Sequence, residues 1–383
     1  MVQPRAVTLS WHGKERALAA SGAPCPPSRE WTTKDGGGRL LQGDNLACLR
    51  SLAAGLGDDE GPVTLAYLDP PFFTNREHLA WLRKAGAPRG SARTRVPAFD
   101  DRWPDLASYL EALGTRLEAT RALLAPHGSV VVHVDPKTSH YVRVLGDEIF
   151  GAEAFASEIV WRYRRWPSKT PNFQRVHDVL LRWRRDPGTP GRWNQPYEPL
   201  AASTLATWGT KKQRAVFAAD GRRARSSSTS EPTAGVPMGD VWEIGVIAPI
   251  ARERTGYPSQ KPEALLERIV GALTDPGDVV LDPYAGSGTT LAVARRMRRG
   301  FIGVDASPVA IETIRGRLPE LTARASGGEG ESESETDRES LKTRGGVRMG
   351  ERAGPGGPDN SADDGVRERG RKRRSGRLGV ATA

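Results

Sequence analysis

The chain of 383 residues has little cysteine and no long apolar run, and both shortages restrict what it can be. Its two cysteines, Cys25 and Cys48, have no second cysteine or histidine at metal-ligand spacing, so we expect neither a disulfide framework nor a metal site. No stretch approaches the roughly 18 apolar residues of a membrane span. The segment through Arg16 lacks the apolar core of a secretory signal, so we expect a soluble, cytoplasmic protein.

Positive charge is what the sequence has in excess. Lys and Arg number 56 against 46 Asp and Glu, which gives a formal net charge of +10. Residues 161–240 hold fifteen Lys or Arg against six Asp or Glu, together with five of the ten tryptophans. Cations bind phosphate and flat rings stack on bases, so this composition is typical of a nucleic-acid surface. The alternative is a half-buried subdomain whose rings form a small core of its own.

Apolar segments in the middle of the chain alternate between strand and helix patterns. The predicted strands are Val63–Leu68, Val130–Val134, Val279–Leu281 and Phe301–Val304, and the predicted helices are 105–124, Ser139–Phe150, Lys261–Leu273 and a segment ending near Arg299. This alternation predicts an α/β fold, Rossmann-like, with a mostly parallel, doubly wound sheet. Ligands of such sheets lie beyond the carboxyl ends of the strands.

A loop with two glycines, Asp282–Thr290, follows one of the predicted strands. Gly286 and Gly288 allow a tight turn in which backbone amides can approach a ligand. The next strand ends at Asp305, whose carboxylate can accept hydrogen bonds from two ribose hydroxyls, so an adenosine-containing cofactor is implied. A dinucleotide fingerprint would have a third glycine where this chain has Leu291, and the lysine of a P-loop is absent. The loop alone therefore does not identify the cofactor.

Asp69-Pro70-Pro71-Phe72 follows another predicted strand. The exocyclic amine of adenine or cytosine is a poor nucleophile, because its lone pair is delocalised into the ring. A carboxylate on one N–H and a carbonyl on the other draw the nitrogen toward tetrahedral geometry, and Asp69 and Pro70 can supply these acceptors. Two prolines stiffen the loop, and Phe72 offers a face on which an extruded base can stack. The alternative is an ordinary Pro-Pro turn after a strand.

Together the two loops resemble those of the amino-methyltransferases of DNA, in the permuted group whose catalytic loop precedes the cofactor loop. Asp69–Phe72 matches the catalytic motif of that family, and Asp282–Gly288 matches its cofactor loop, with Tyr284 where Phe is usual. Gly256–Pro262 is similar to the segment before the cofactor strand, and Leu41–Asp44 is similar to the opening strand.

The resemblance spans about residues 39–318 and implies transfer of a methyl group from S-adenosylmethionine to an exocyclic amine of a flipped base in double-stranded DNA. Within the family, Asp as the first catalytic residue favours adenine N6 over cytosine N4. The implied catalytic residues are Asp69, Pro70, Pro71 and Phe72. The implied cofactor residues are Asp44, Gln260, Lys261, Pro262, Asp282, Tyr284, Gly286, Gly288, Thr289 and Asp305. The DNA-binding residues expected in the basic region are Arg162, Arg164, Arg165, Lys169, Lys211, Lys212 and Arg214.

We expect five parts along the chain. They are an N-terminal arm (1–38), the catalytic half of a methyltransferase domain (39–160), a target recognition region (161–240), the cofactor-binding half (241–325) and a disordered charged tail (326–383). The resemblance allows a homodimer and a cognate restriction enzyme as partners, and a DNA substrate implies association with the nucleoid.

Rival functions stay open at the level of the sequence. One is a DNA-binding protein that keeps the fold without catalysis. Another is a nicotinamide-dependent dehydrogenase that uses the Gly286 loop. Methylation of RNA or of a small amine is a third.

Overall fold

Residues 7–11, 14, 24–56, 61–83, 93–167, 169 and 171–324 are described by a computed structural model. All of them belong to one unit of the chain, Met1–Ala325. The charged tail expected over residues 326–383 lies outside the described residues. Within the described part, no helix combines the length and the apolar character needed to cross a membrane.

The described residues form strands and helices in alternation. The strands are β1 (Arg29–Thr32), β2 (Gly38–Gln42), β3 (Val63–Leu68), β4 (Glu77–Arg83), β5 (Arg93–Asp100), β6 (Leu124–Val134), β7 (Phe155–Arg162), β8 (His177–Arg184), β9 (Tyr197–Glu198), β10 (Lys211–Phe217), β11 (Arg223–Pro232), β12 (Val236–Pro237), β13 (Val241–Glu243), β14 (Val279–Asp282), β15 (Gly300–Asp305) and β16 (Thr322–Ala323). The helices are α1 (Asn45–Ala54), α2 (Leu106–Leu123), α3 (Ser139–Phe150), α4 (Ala202–Trp208), α5 (Glu263–Leu273), α6 (Thr289–Arg296) and α7 (Pro308–Arg317), with a 3₁₀ turn at Ala152–Ala154.

A ten-stranded sheet forms the centre of the fold, in the order β13-β7-β8-β6-β3-β14-β15-β2-β1-β16. Five neighbouring strands, from β6 to β2, are parallel to one another. β8 runs antiparallel to both of its neighbours, and β1 does the same at the other side. The predicted α/β class with a mostly parallel, doubly wound sheet is therefore confirmed.

Helices cover both faces of this sheet. On one face, side chains of α5, α6 and α7 join Leu65 and Tyr67 of β3 in a buried cluster. On the other face, side chains of α1, α2 and α3 form a second cluster with Ala66 and Leu68. Successive side chains of a strand point to opposite faces, so β3 contacts both layers, and all six of its residues are buried.

The direction of winding reverses between β3 and β14. From β3 the chain passes through α2 to β6 on one side, and from β14 it passes through α6 to β15 on the other. The carboxyl ends of these two parallel neighbours therefore border a crevice, which is where ligands bind in open α/β sheets.

Elements with a clear apolar period have nearly the predicted bounds. β3 and α3 agree with them residue for residue. α2 begins after Asp105, whose side chain accepts a hydrogen bond from the Ser108 N–H over 2.7 Å and so caps the helix. The β4–β5 hairpin was not predicted. Pro97 lies within β5, and proline in a strand pattern argues against a strand unless the strand is at an edge.

Two of the expected parts also contribute strands to the main sheet. β1 lies within residues 1–38, where an arm was expected, and pairs with β2. β7 and β8 place residues 161–162 and 177–184 of the expected recognition region in the main sheet. The rest of the expected recognition region lies outside the main sheet. It consists of the loop between β7 and β8 and the residues after Arg184.

Gly146 of α3 allows close contact between that helix and β8. A Cβ at this position would lie 2.3 Å from Cζ2 of the buried Trp183. We expect Gly146→Ala to lower the free energy of unfolding by about 1–3 kcal/mol, because the ring or the helix must shift. Gly271→Ala in α5 is the control, since its Cβ would lie 3.4 Å from Met297 Cε and alanine favours a helix. Chemical denaturation measures both variants, and equal stability would contradict this packing.

Candidate active site

A cavity of about 850 Å³ opens at the carboxyl ends of β3 and β14. Cavities of roughly 300–1,000 Å³ are typical of small-molecule sites. Both predicted loops line it, together with residues 257–261 before α5 and residues 172–175 between β7 and β8. Within the described part of the chain, no group of three or more His, Cys, Asp or Glu side chains could hold a metal ion.

The four predicted catalytic residues, Asp69 to Phe72, all line this cavity. The carboxylate of Asp69 is paired with Lys261, whose Nζ lies 2.7 Å from Oδ1 and 2.5 Å from Oδ2. The same ammonium lies 4.8 Å from the centre of the Phe72 ring. A largely buried carboxylate needs such a partner. Because its two oxygens together have about four lone-pair sites, Asp69 can still accept an N–H from a ligand in the cavity.

Lys261 was predicted to bind the cofactor, and the structure places its ammonium on the carboxylate of Asp69, which was predicted to be catalytic. The two residues are 192 positions apart in the sequence, so no local pattern could reveal the pair. Lys261 also donates to the carbonyl oxygen of Ser259 over 3.3 Å, which fixes the ammonium from the side of its own loop. The ion pair therefore joins the segment before α5 to the catalytic loop.

Two backbone amides hold the carboxylate at the end of β15. The Gly286 N–H donates to Oδ2 of Asp305 over 2.8 Å, and the Ser307 N–H donates to Oδ1 over 2.8 Å. Gly286 has φ 49°, which favours glycine. A Cβ there would also lie 3.2 Å from the ring of Tyr257 across the cavity. Glycine thus keeps open the space beside a carboxylate that has lone pairs free for hydroxyl donors.

Two buried carboxyls of the cavity, Asp282 and Asp305, have raised pKa values. Burial raises the pKa of Asp282 to about 7, and the charges of Asp69 and Asp305 act in the same direction, against hydrogen bonds from Thr290 and Tyr284. Burial raises the pKa of Asp305 to about 6, against its two backbone hydrogen bonds. A positive charge nearby would favour the ionised forms. The cavity therefore fits a ligand that carries both hydroxyl donors and a cation, as an adenosyl sulfonium does.

Eight of the ten predicted cofactor residues line the cavity, and Pro262 and Gly288 do not. Pro262 is the N-cap residue of α5. Gly288 has φ 72°, and a Cβ there would lie 2.7 Å from Cγ1 of Ile314. Glycine is thus needed at position 288 for packing against α7.

Two other predicted cofactor side chains have structural hydrogen bonds of their own. Asp44 caps α1 by accepting from the Ala47 N–H over 2.9 Å. Gln260 accepts from the N–H and hydroxyl of Thr255 and donates to the carbonyl oxygen of Glu253 over 2.7 Å. These bonds shape the rim of the cavity, and both residues stay predictions as cofactor ligands.

A chain of buried polar side chains lies beside the catalytic loop. Tyr67 Oη is 2.8 Å from Nδ1 of His133, whose Nε2 is 3.3 Å from Oδ2 of Asp178, and Tyr163 donates to Oδ1 of Asp178 over 2.9 Å. Burial lowers the pKa of His133, so a neutral ring that accepts from Tyr67 and donates to Asp178 satisfies every group. The network fixes Tyr163 in the cavity wall next to Trp161, which packs on the His133 ring at 5.5 Å.

The predicted DNA-binding residues divide between two places. Arg165 lines the cavity, with its guanidinium 5.2 Å from the centre of the Tyr163 ring. The exposed Arg164 and Lys169 belong to the same β7–β8 loop, and Arg162, at the end of β7, is ion-paired with Glu243. The others lie in β10: Lys211, Lys212 and Arg214. Of these, Lys211 and Lys212 do not line the cavity.

Known proteins match this chain over most of its described length. Residues 63–315 match the model of a family described as DNA methylase. The Type II methyltransferase M.EcaI of Enterobacter cloacae is 28% identical over 304 residues, with 66% of this chain and 64% of the relative covered. The Type II methyltransferase M.HpaI of Haemophilus parainfluenzae is 26% identical over 275 residues, with 71% and 73% covered. The chain thus spans slightly less than two thirds of the length of M.EcaI.

Two solved structures illustrate the similarity of this chain to known folds. The PvuII DNA methyltransferase, described as cytosine-N4-specific, has 17% identity and a TM-score of 0.48, with 76% of this chain and 89% of that chain covered. The complex of M1.HpyAVI with SAM has 17% identity and a TM-score of 0.45, with 73% and 98% covered.

Asp282→Asn tests the electrostatic consequence of the buried carboxyl. Its pKa in the folded chain is about 7, above the ordinary value near 4. Folding therefore binds a proton, and the stability contributed by this group falls as the pH rises from about 4 to about 7. We expect the Tm of the Asn variant to exceed that of the wild type by a few degrees at pH 8 and by much less at pH 5. Thermal unfolding without ligand measures this, and a difference independent of pH would contradict it.

Proposed function

This chain belongs to the DNA methylase family, and we propose that it transfers a methyl group from S-adenosylmethionine to the exocyclic amine of a base flipped out of double-stranded DNA. The observation that carries the proposal is the convergence of the Asp69–Phe72 and Asp282–Thr290 loops on one cavity. A non-catalytic DNA-binding protein would have no need for a catalytic carboxylate held by Lys261 beside a cofactor loop.

The family uses S-adenosylmethionine, which supplies an electrophilic methyl group on a positively charged sulfur. Asp305 would accept the ribose hydroxyls through the lone pairs that its two backbone donors leave free. Asp282 would offset the positive charge, because a nearby cation favours its ionised form. The absence of a side chain at Gly286 leaves room for the ligand.

The catalytic loop acts on the target amine. Asp69 accepts one N–H and the Pro70 carbonyl accepts the other, which directs the nitrogen lone pair out of conjugation with the ring. Bound S-adenosylmethionine would supply the methyl group to that nitrogen, with its sulfur as the leaving group. The alkylated amine loses one proton, and Asp69 is the acceptor in contact with it. Phe72 provides a stacking face that steadies the extruded base.

We propose adenine N6 as the target atom. Asp as the first residue of the catalytic motif is associated with adenine in the family that the sequence resembles, and Asp69 is that residue. Cytosine N4 presents the same pair of N–H groups to the same acceptors, so it is the alternative outcome of the test below.

The loop between β7 and β8 is the part of the cavity rim best suited to DNA. Trp166 and Phe173 are exposed by 92% and 104%, and Phe173 also lines the cavity. Exposed Arg164, Arg165 and Lys169 lie on the same loop. Rings that stack on bases beside cations that bind phosphate support DNA binding at the mouth of the cavity. Contacts from β10 and its partner strand β11 remain a prediction.

Partners other than DNA follow from the resemblance and from the relatives. Two relatives bear the name Type II methyltransferase, which supports a restriction enzyme with the same recognition site as a partner of this chain. A homodimer remains a prediction, and so does a location at the nucleoid in the cytoplasm, where the DNA substrate would be.

The test is transfer of labelled methyl from S-adenosylmethionine into mixed-sequence duplex DNA, with the product digested to nucleosides and identified by mass. We expect deoxy-N6-methyladenosine. Deoxy-N4-methylcytidine would keep the reaction and change the base. No label in the DNA, from a protein shown to bind the cofactor, would contradict the proposal.

Asp69→Asn tests the catalytic carboxylate. We expect the transfer rate to fall by about 100-fold or more, because the amide has no charge and one oxygen fewer to accept the target N–H. Affinity for S-adenosylmethionine should stay within a few-fold, as measured by calorimetry. The asparagine variant is preferable to alanine, which would leave the buried ammonium of Lys261 with only the Ser259 carbonyl as a partner. A rate equal to that of the wild type would contradict a catalytic role for Asp69.

A further inference from the structure

Asp101 lies directly after β5 and is only 1% exposed. Its carboxylate accepts four hydrogen bonds from the loop that follows Pro71 and a fifth from Trp103. Oδ2 accepts from the N–H of Phe72 over 3.2 Å and from the N–H and hydroxyl of Thr74 over 2.8 and 2.5 Å. Oδ1 accepts from the N–H of Phe73 over 3.0 Å and from Nε1 of Trp103 over 2.9 Å. Three consecutive backbone amides of one loop therefore converge on one carboxylate.

The conformation of that loop explains why it needs an anion. Phe73 and Asn75 have φ values of 57° and 55°, in the left-handed region that residues other than glycine rarely adopt. Successive amides in such a turn point toward one spot and form an anion-binding nest. Asp101 fills the nest from within the protein, and charge-assisted hydrogen bonds of this kind are stronger than neutral ones.

Asp101 is itself held on a braced hairpin. Its N–H donates to the Arg76 carbonyl oxygen over 3.1 Å, and its carbonyl oxygen accepts from the Asn75 N–H over 3.0 Å. β4 and β5 pair along their length. The Trp81 N–H of β4 donates to the carbonyl oxygen of Gly256 over 3.0 Å, which ties the hairpin to the segment that carries Lys261. The hairpin therefore braces both partners of the catalytic ion pair.

We propose that Asp101 is a positioning residue for methyl transfer, and that its carboxylate fixes the loop that presents Asp69, the Pro70 carbonyl and the Phe72 ring to the target base. The inference rests on the proposed function for its rate measurement. Asp101 acts through the backbone of the loop and holds the amide of Phe72 itself. Displacement of reacting groups by about 1 Å is enough to slow a reaction by about 100-fold.

Asp101→Asn is the test variant, and Asp100→Asn is its matched control. Asparagine replaces one of two oxygens with a group that cannot accept, so at least two of the five hydrogen bonds are lost. Asp100 is the adjacent residue, its side chain is 49% exposed, and its partner is Arg102. The two variants therefore make the same change of charge one position apart.

The measurements separate positioning from folding. In Asp101→Asn we expect the single-turnover methyl-transfer rate, at saturating DNA and S-adenosylmethionine, to fall by about 100-fold. In Asp100→Asn we expect it to stay within about twofold. The dissociation constant for S-adenosylmethionine should be unchanged in both. Hydrogen exchange should be faster at the amides of residues 72–74 in Asp101→Asn alone.

A rate close to that of the wild type in Asp101→Asn would overturn the proposal. So would a loss of rate matched by a loss of cofactor affinity and of Tm, because that pattern describes a purely structural role. If Asp101→Asn does not fold, Thr74→Val removes a single hydroxyl donor, and we expect the same pattern with a smaller loss of rate, about tenfold. An unchanged rate in that variant would overturn the proposal too.

Failure of the proposed function would look different. In that case the wild-type protein transfers no methyl group to DNA. Hydrogen exchange at the amides of residues 72–74 still tests whether Asp101 holds the loop. Faster exchange in Asp101→Asn than in Asp100→Asn supports the role of Asp101 in holding the loop, and equal exchange overturns it.

Discussion

Parallel pairing between β3 and β14 is the contact on which the arrangement of the site depends. Leu65 pairs with Val280 and Ala66 with Leu281, so the two strands end at the same edge of the sheet. The loops that follow them are more than 200 positions apart in sequence, yet the charge of Asp69 contributes to the raised pKa of Asp282. Winding in opposite directions from these two strands leaves the crevice between them uncovered.

The charges around this crevice are of two kinds, and each suits a different ligand. Asp69, Asp282 and Asp305 line the interior, and the ammonium of Lys261 is paired with the carboxylate of Asp69. Exposed Arg and Lys side chains occupy the β7–β8 loop at the mouth. A cationic cofactor fits the interior, and we propose that polyanionic DNA binds at the mouth. Burial raises the pKa values of Asp282 and Asp305, so ionising either carboxyl in the free protein costs free energy of folding.

Much of the fold and both loops could be predicted from the sequence, because strand and helix periods and the residues after a strand are local features. Contacts across the fold could not. Asp100 and Asp101 are adjacent and identical in type, yet Asp100 is exposed, whereas Asp101 accepts four hydrogen bonds from residues 72–74 and a fifth from Trp103. The partner of Lys261 depends on how two distant segments meet. Pro97 weakens the strand pattern of β5, and this proline is tolerated because it lies beside a register irregularity in a two-stranded sheet.

The most direct measurement of the central claim is a crystal structure of the protein with S-adenosylmethionine, or an unreactive analogue of it, and a duplex that contains the unmethylated target site. We expect the target base outside the helix, its two N–H groups on Asp69 and the Pro70 carbonyl, and its nitrogen about 3–3.5 Å from the transferable carbon. A cofactor bound away from the Asp282–Thr290 loop, or a target base that remains stacked in the duplex, would contradict the claim.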